Sequence, residues 1–280
     1  MGFLLTLSWI PSGKAQVREE GASVHSMGMG DAVRSNAFSS NALYFNPSGM
    51  SVVPIYNLEA GYDFVNTNTT HVVIVSVIDS QTNQALSGGF GYSYIHSMLP
   101  DEVKRTGHSV RFALSTGYRS EQFGIFFGLG VRYLKIDIEN VSTLNMIAAD
   151  LGTILTTSFG LQFGIVGHNL TSIKTEEAPR SLGLGLSYIN SGFVLGFDAL
   201  LDFQTKEKVK AQYNFGTEYL IYKMVSVRAG FQMDKIHDQN RVTCGLGYFH
   251  KYFGLDIAYM QDIGNKSNYF ISTRLHGFLP

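Results

Sequence analysis

Charge is scarce in this chain: Asp, Glu, Lys and Arg make up 15% of its 280 residues, against roughly 25% in soluble globular proteins. The little there is nearly cancels. A net charge of -1 supplies no field that would attract a polyanion, so no nucleic-acid partner is expected. Cysteine is scarcer still. Cys244 stands alone, which excludes an internal disulfide framework, a multi-cysteine metal site and a lipid anchor on an N-terminal cysteine. No stretch approaches the ~18 consecutive apolar residues that a spanning helix needs, so any residence in a membrane must be by strands. Chemical motifs are missing as well. The eight histidines show no i, i+4 pair and no ligand-like spacing, and no metal is expected. The run at Gly28 lacks the third glycine and the preceding strand of a dinucleotide fingerprint, and there is no phosphate-binding loop, so no cofactor is expected either. Nor is there a G-x-S-x-G elbow. The chain therefore reads as a non-enzyme, with a hydrolase built from Ser and His on neighbouring strands as the weakest alternative.

What is present is aromatic and glycine-rich: 20 Phe, 15 Tyr and 30 Gly, a composition that suits strands better than helices. From Ile55 onward the sequence alternates with period two. In 55–65, Tyr56, Leu58, Ala60, Tyr62 and Phe64 share one face, opposite Asn57, Glu59, Gly61 and Asp63. In 123–133, Phe123, Ile125, Phe127, Leu129, Val131 and Tyr133 oppose Gly124, Gly128, Gly130 and Arg132. A soluble sandwich would have to bury all these aromatics against one another and would be overfilled. Hydrocarbon imposes no such limit. The pattern predicts an all-β transmembrane antiparallel barrel of about 14 strands, apolar outside and polar within, in the outer membrane of a Gram-negative-type bacterium with membrane lipid as its surroundings. Tyr62, Tyr94, Tyr118, Tyr133, Tyr188, Tyr248 and Tyr269, near strand ends, would form its interfacial girdles.

The connections test this independently, because such barrels alternate short inner turns with longer outer loops. Short turns are expected at 119–122, 157–159, 190–192, 221–224 and 250–251, and longer polar loops at 97–107, 135–144, 169–179, 234–240 and 262–268. The segment 79–84 is long for an inner turn. The last strand, Tyr269 to Leu279, resembles a terminal assembly-recognition strand, although Leu279 and Pro280 displace its usual terminal aromatic.

Three segments follow from this: a signal peptide over 1–15, a non-alternating segment over 16–54 and the barrel over 55–280. The start, MGFLLTLSWIPSGKA, has an apolar run, a break at Pro11 and small residues before a cut ahead of Gln16, but lacks a charged beginning. The segment 22–50 is too long for a turn. Its Met27-Gly28-Met29-Gly30, then Asn41-Ala42-Leu43, then Asn46-Pro47-Ser48-Gly49-Met50 resemble the opening motif of the FadL-like superfamily, which includes the PorV and PorQ proteins. Asp31 and Ser48 depart mildly from that motif. Ala148 to Ser172, Glu176 to Ile189 and Phe215 to Gln232 resemble the same group, so the likeness spans nearly the whole mature chain. It implies a fourteen-stranded barrel with the N-terminal segment folded inside as a hatch. It also implies one of two roles: moving hydrophobic small molecules across the outer membrane, or serving as a PorV/PorQ-type component of a type IX-like secretion system that touches secretion-system proteins.

Candidate site residues divide into three sets. Asn46, Pro47, Ser48 and Gly49 either line a ligand pocket beneath the hatch, as the resemblance implies, or form a turn that merely starts the barrel. Arg111, Arg132, Asp150, Asp198, Asp202, Lys210, Glu218, Arg228, Asp256 and Arg274 take the inward register, where mixed signs make structural ion pairs or a transport gate. Phe126, Ile154, Leu200 and Leu220 are inward but apolar, and fit a greasy conduit or packing against the hatch equally well.

Overall fold

The computed structural model describes residues 22–279 apart from 84, 100, 101, 141, 173, 174 and 176. The expected signal peptide over 1–15 lies outside them. Fourteen strands close into one antiparallel barrel in which every strand pairs with its sequence neighbours and β1 pairs with β14. The strands are β1 (Tyr56–Val65), β2 (Thr70–Asp79), β3 (Ser87–Met98), β4 (Lys104–Arg119), β5 (Phe123–Ile138), β6 (Ser142–Thr157) and β7 (Leu161–His168). The second half comprises β8 (Ser181–Asn190), β9 (Phe193–Asp202), β10 (Lys210–Ile221), β11 (Val225–Asp234), β12 (Gln239–Phe249), β13 (Phe253–Asp262) and β14 (Tyr269–Leu279). The seam is fully registered, from Tyr56 opposite Leu279 to Val65 opposite Phe270. Closure leaves no unpaired edge to template aggregation.

Alternation sets the two faces as expected. In β5, Gly128, Gly130, Arg132, Leu134 and Ile136 are buried, while Phe127, Leu129 and Val131 are 41–51% exposed. Such a continuous apolar exterior would be costly against water at about 25 cal/mol per Å², and has its natural solvent in hydrocarbon. All seven tyrosines expected in girdles point outward. Tyr118, Tyr188 and Tyr248 lie toward the inner rim, where β1 begins and β14 ends, and Tyr62, Tyr94, Tyr133 and Tyr269 toward the outer rim.

Inner turns fall where the sequence puts them, at 120–122, 158–160, 191–192, 222–224 and 250–252, with 80–86 the long exception. The 191–192 hairpin has positive φ at both Ser191 (48°) and Gly192 (92°), the turn whose twist matches that of its flanking strands. The outer loops need correction. Most of 97–107 and 135–144 is strand, leaving 99–103 and 139–141 as connections. β4, β5 and β6 each run 16 residues, beyond the 9–11 that a tilted strand needs to cross hydrocarbon. Polar residues in that overhang look like loop composition, yet the ladder continues through them. Of the outer connections, 169–180 and 203–209 are the long ones.

The described part of the N-terminal segment lies inside the barrel. It contains α1 (Val24–Gly28), α2 (Asn41–Tyr44) and a 3₁₀ turn, Pro47–Ser51, whose Asn46 cap accepts from Ser48 N. It runs around the wall at mid-height, and the inward face of most strands is glycine where it passes. A Cβ at Gly152, Gly164, Gly196 or Gly216 would collide with Asn46, Arg34, Ala32 or Met29 respectively. Its apolar side chains, Met29, Val33, Leu43, Phe45 and Met50 among them, make the main core with Ile78, Ala113 and Val194 of the wall.

Candidate functional site

The lumen is a polar interior held by ion pairs between strands and by hydrogen bonds to the N-terminal segment. Glu218, Arg228 and Asp256, three of the expected residues, form one network. Arg228 Nε is 3.0 Å from Glu218 Oε1 and Arg228 Nη1 is 2.7 Å from Asp256 Oδ1. Ser226 Oγ also donates to Glu218, at 2.5 Å. From the inner segment, His25 Nε2 reaches Glu218 Oε2 at 3.0 Å, while Asn41 Nδ2 lies 2.9 Å from His25 Nδ1. An amide N–H donating to Nδ1 makes Nε2 the protonated nitrogen, so the imidazole donates to the carboxylate.

Arg274 organises a second network with residues outside the expected set. It bonds Asp63 at 2.6 Å and Glu59 at 3.2 Å, and its Nη2 donates to Ala22 O at 2.9 Å. Asp198 faces the N-terminal segment directly: Val33 N and Arg34 N donate to its Oδ2, both at 2.9 Å, and Arg34 Nη1 lies at 3.2 Å. Asp150 is 3.9 Å from Arg111 and 3.5 Å from His168. Arg111 also donates to Leu43 O, and its guanidinium sits 4.8 Å over the Tyr44 ring. Arg132 Nε donates to Ser109 Oγ at 3.2 Å. Buried charges need partners of this kind because burial strips them of water.

Two of the expected lumen charges sit at the outer rim. Lys210 keeps the inward register but is the first residue of β10 and is exposed, so it does not line the packed interior. Asp202 is buried, but its Oδ1 accepts from Gln204 N and Thr205 N, both at 2.8 Å, and so holds the 203–209 connection. Phe126 and Ile154 pack with Val52 of the inner segment. Leu200 and Leu220 are half-buried.

Asn46, Pro47, Ser48 and Gly49 are buried between the inner segment and β4–β6. Asn46 Nδ2 donates to Arg34 O at 3.0 Å, Ser48 Oγ donates to Asn46 Oδ1 at 2.7 Å, and Ser115 Oγ donates to Ser48 O at 3.0 Å. Gly49 is required by close approach, since a Cβ there would strike the Ala37 carbonyl. Further fastenings come from residues the sequence did not single out. Thr243 Oγ1 donates to Gly28 O, Gln232 Nε2 to Gly30 O and Asp31 Oδ2, and Asn214 Nδ2 to Asp31 O. Outside the barrel, a groove of about 310 Å³ lies between β2, β3 and β4 near the inner rim, floored by Val77, Gly88, Phe90, Phe112 and Leu114.

Fold and lumen together define a class: a closed fourteen-stranded antiparallel barrel, apolar outside, with its own N-terminal segment packed through the bore. No family model and no curated protein matches the chain. Among solved structures it is similar to the CymD monoaromatic hydrocarbon channel, with a TM-score of 0.68 at 13% identity over 91% of this chain and 96% of that one. It is also similar to the toluene transporter TodX of Pseudomonas putida (TM-score 0.61, 14% identity, 93% and 97% covered). A FadL homologue of Pseudomonas aeruginosa matches with a TM-score of 0.57 at 9% identity, over 91% and 96% of the two chains. At these identities the likeness is one of fold.

Proposed function

We propose that this chain is an outer-membrane barrel that binds or passes hydrophobic small molecules, with the segment 22–54 acting as its hatch. The observation that carries the reading is the combination of a hydrocarbon-compatible exterior with a bore occupied by an N-terminal segment hydrogen-bonded to the wall. An open polar pore for hydrophilic solutes has no use for such a filling. A carrier of greasy solutes does, because the segment supplies an apolar core in the bore: Met29, Val33, Leu43, Phe45 and Met50. The channels and transporters of similar fold support the same reading, since their names describe hydrocarbon or toluene passage. On this reading the chain is no catalyst, its neighbours are lipid and a hydrophobic solute, and Asn46 to Gly49 hold the hatch turn against β4–β6. Proteoliposomes carrying the full chain are expected to load a labelled long-chain alcohol faster than protein-free vesicles; equal rates would overturn the proposal.

A further inference from the structure

The wall does not hold the N-terminal segment evenly. Hydrogen bonds fasten it to β1, β3, β4, β6 and β9, and to β10, β11, β12 and β14. Elsewhere apolar meets apolar: Val24 and Met27 lie on Ala258 and Met260 of β13, Met50 shares a core with Ile78 of β2, and Val52 packs on Phe126 of β5.

The wall of β7 and β8 is joined to the segment differently. The segment brings the polar Ser35 and Asn36 there, yet among the described residues no hydrogen bond joins it to either strand. Contact is nonetheless direct, since a Cβ at Gly185 would lie 2.7 Å from Ser35 N. Two residues further toward the inner rim on the same face stand Ser187 and its cross-strand partner Gln162. Ser35, Asn36 and Ser187 are only 1%, 3% and 2% exposed. Ser35 Oγ, both amide atoms of Asn36, Gln162 Oε1 and Ser187 Oγ are buried without a partner among the described residues. Ile189, on the next inward position of β8 and opposite Val194, packs against the apolar cluster to which Ala37 and Phe45 belong, so the polar locus borders an apolar one. A buried polar group left unpaired loses more than an ordinary hydrogen bond gains; others are scattered through the lumen, but here five such atoms belong to two consecutive residues of the segment and one cross-strand pair beside them.

We infer that Ser35, Asn36, Gln162 and Ser187 form a binding site for the neutral hydroxyl or carbonyl head of an otherwise hydrophobic small molecule that passes the N-terminal segment along β7 and β8. The inference rests on the transport reading above and names the chemistry of the solute. Hydroxyls and amides offer donors and acceptors together, as an alcohol, phenol, ester or ketone requires. A charged head does not fit: the nearest charges, Arg34 and Asp198, pair with each other at 3.2 Å and leave no net charge to meet a lone carboxylate or ammonium, although Arg34 Nε and Asp198 Oδ1 keep hydrogen-bonding capacity for a neutral group. The apolar body lies toward Ile189 and Val194. β7 is also the weakest part of the wall, 8 residues long and paired with β6 only from Leu151–Gly167 to Thr156–Gln162.

The test is photolabelling of the full-length chain in micelles with a diazirine analogue of 1-decanol, followed by peptide mapping. Labels are expected on peptides containing residues 33–37 and 185–189. Unlabelled 1-decanol should compete about tenfold better than decane, the worth of roughly one well-made hydrogen bond, and better than decanoate. The Ser187→Val, Gln162→Leu double variant should erase that advantage; if it fails to fold, Ser35→Ala serves for the same comparison. Equal competition by decane, stronger competition by decanoate, or undiminished discrimination in the variant overturns the site and leaves the transport reading standing. Absence of labelling anywhere in the lumen overturns both.

Discussion

The wall from β9 round through β14 to β1 and the wall of β7 and β8 enclose the same N-terminal segment, but among the described residues only the first is hydrogen-bonded to it. Along the first, several inward side chains meet the segment: Asp198 with Val33 and Arg34, Gln232 with Gly30 and Asp31, Thr243 with Gly28, Arg274 with Ala22. Along the second, glycines let the backbone press close and the neighbouring hydroxyl and amide groups go unanswered. The difference teaches that tightness of packing and satisfaction of polar groups are separate design variables. A segment can be hydrogen-bonded along one side and merely packed along the other without any change in how closely it fits.

Substitutions can break that contrast, beginning with the largest effect. Arg274→Ala leaves Glu59 and Asp63 buried without their cation, and should cost about 3–5 kcal/mol, read as a large drop in the temperature at which the barrel loses its compact electrophoretic mobility. Ser226→Ala removes one charge-assisted hydrogen bond to Glu218 and should cost about 1.5–3 kcal/mol in the same measurement. Ser187→Ala, of identical chemistry on the other wall, should leave that temperature unchanged or slightly raised, because the hydroxyl it deletes has no partner. Equal losses at Ser226 and Ser187 would erase the distinction between the walls.

The barrel was legible in the sequence because its two-faced alternation is a local signal. Leu129 next to Gly130 already states which side meets lipid. Glu59 and Asp63 were visible on the polar face of the first strand, but their partner Arg274 lies at the other end of the chain, and only closure of β1 on β14 joins them. His25 and Arg34 were not legible at all, since the segment that carries them has no period from which a facing direction can be read. The stretches 97–107 and 135–144 have the polar composition of loops yet are mostly strand, because an overhanging hairpin can be polar and still laddered. The polar locus at β7 and β8 had no sequence signature, because Ser35 and Ser187 are ordinary residues until the fold leaves them without partners.

The ring of inward glycines has an electrical consequence. Where a narrower barrel would put side chains across its waist, this one puts hydrogen atoms, and the space is taken by main chain from 28–50. The ionic conductance of the tube is therefore expected to depend on that insert more than on the strands, and a variant lacking 28–50 should carry more current across a planar bilayer than the full chain.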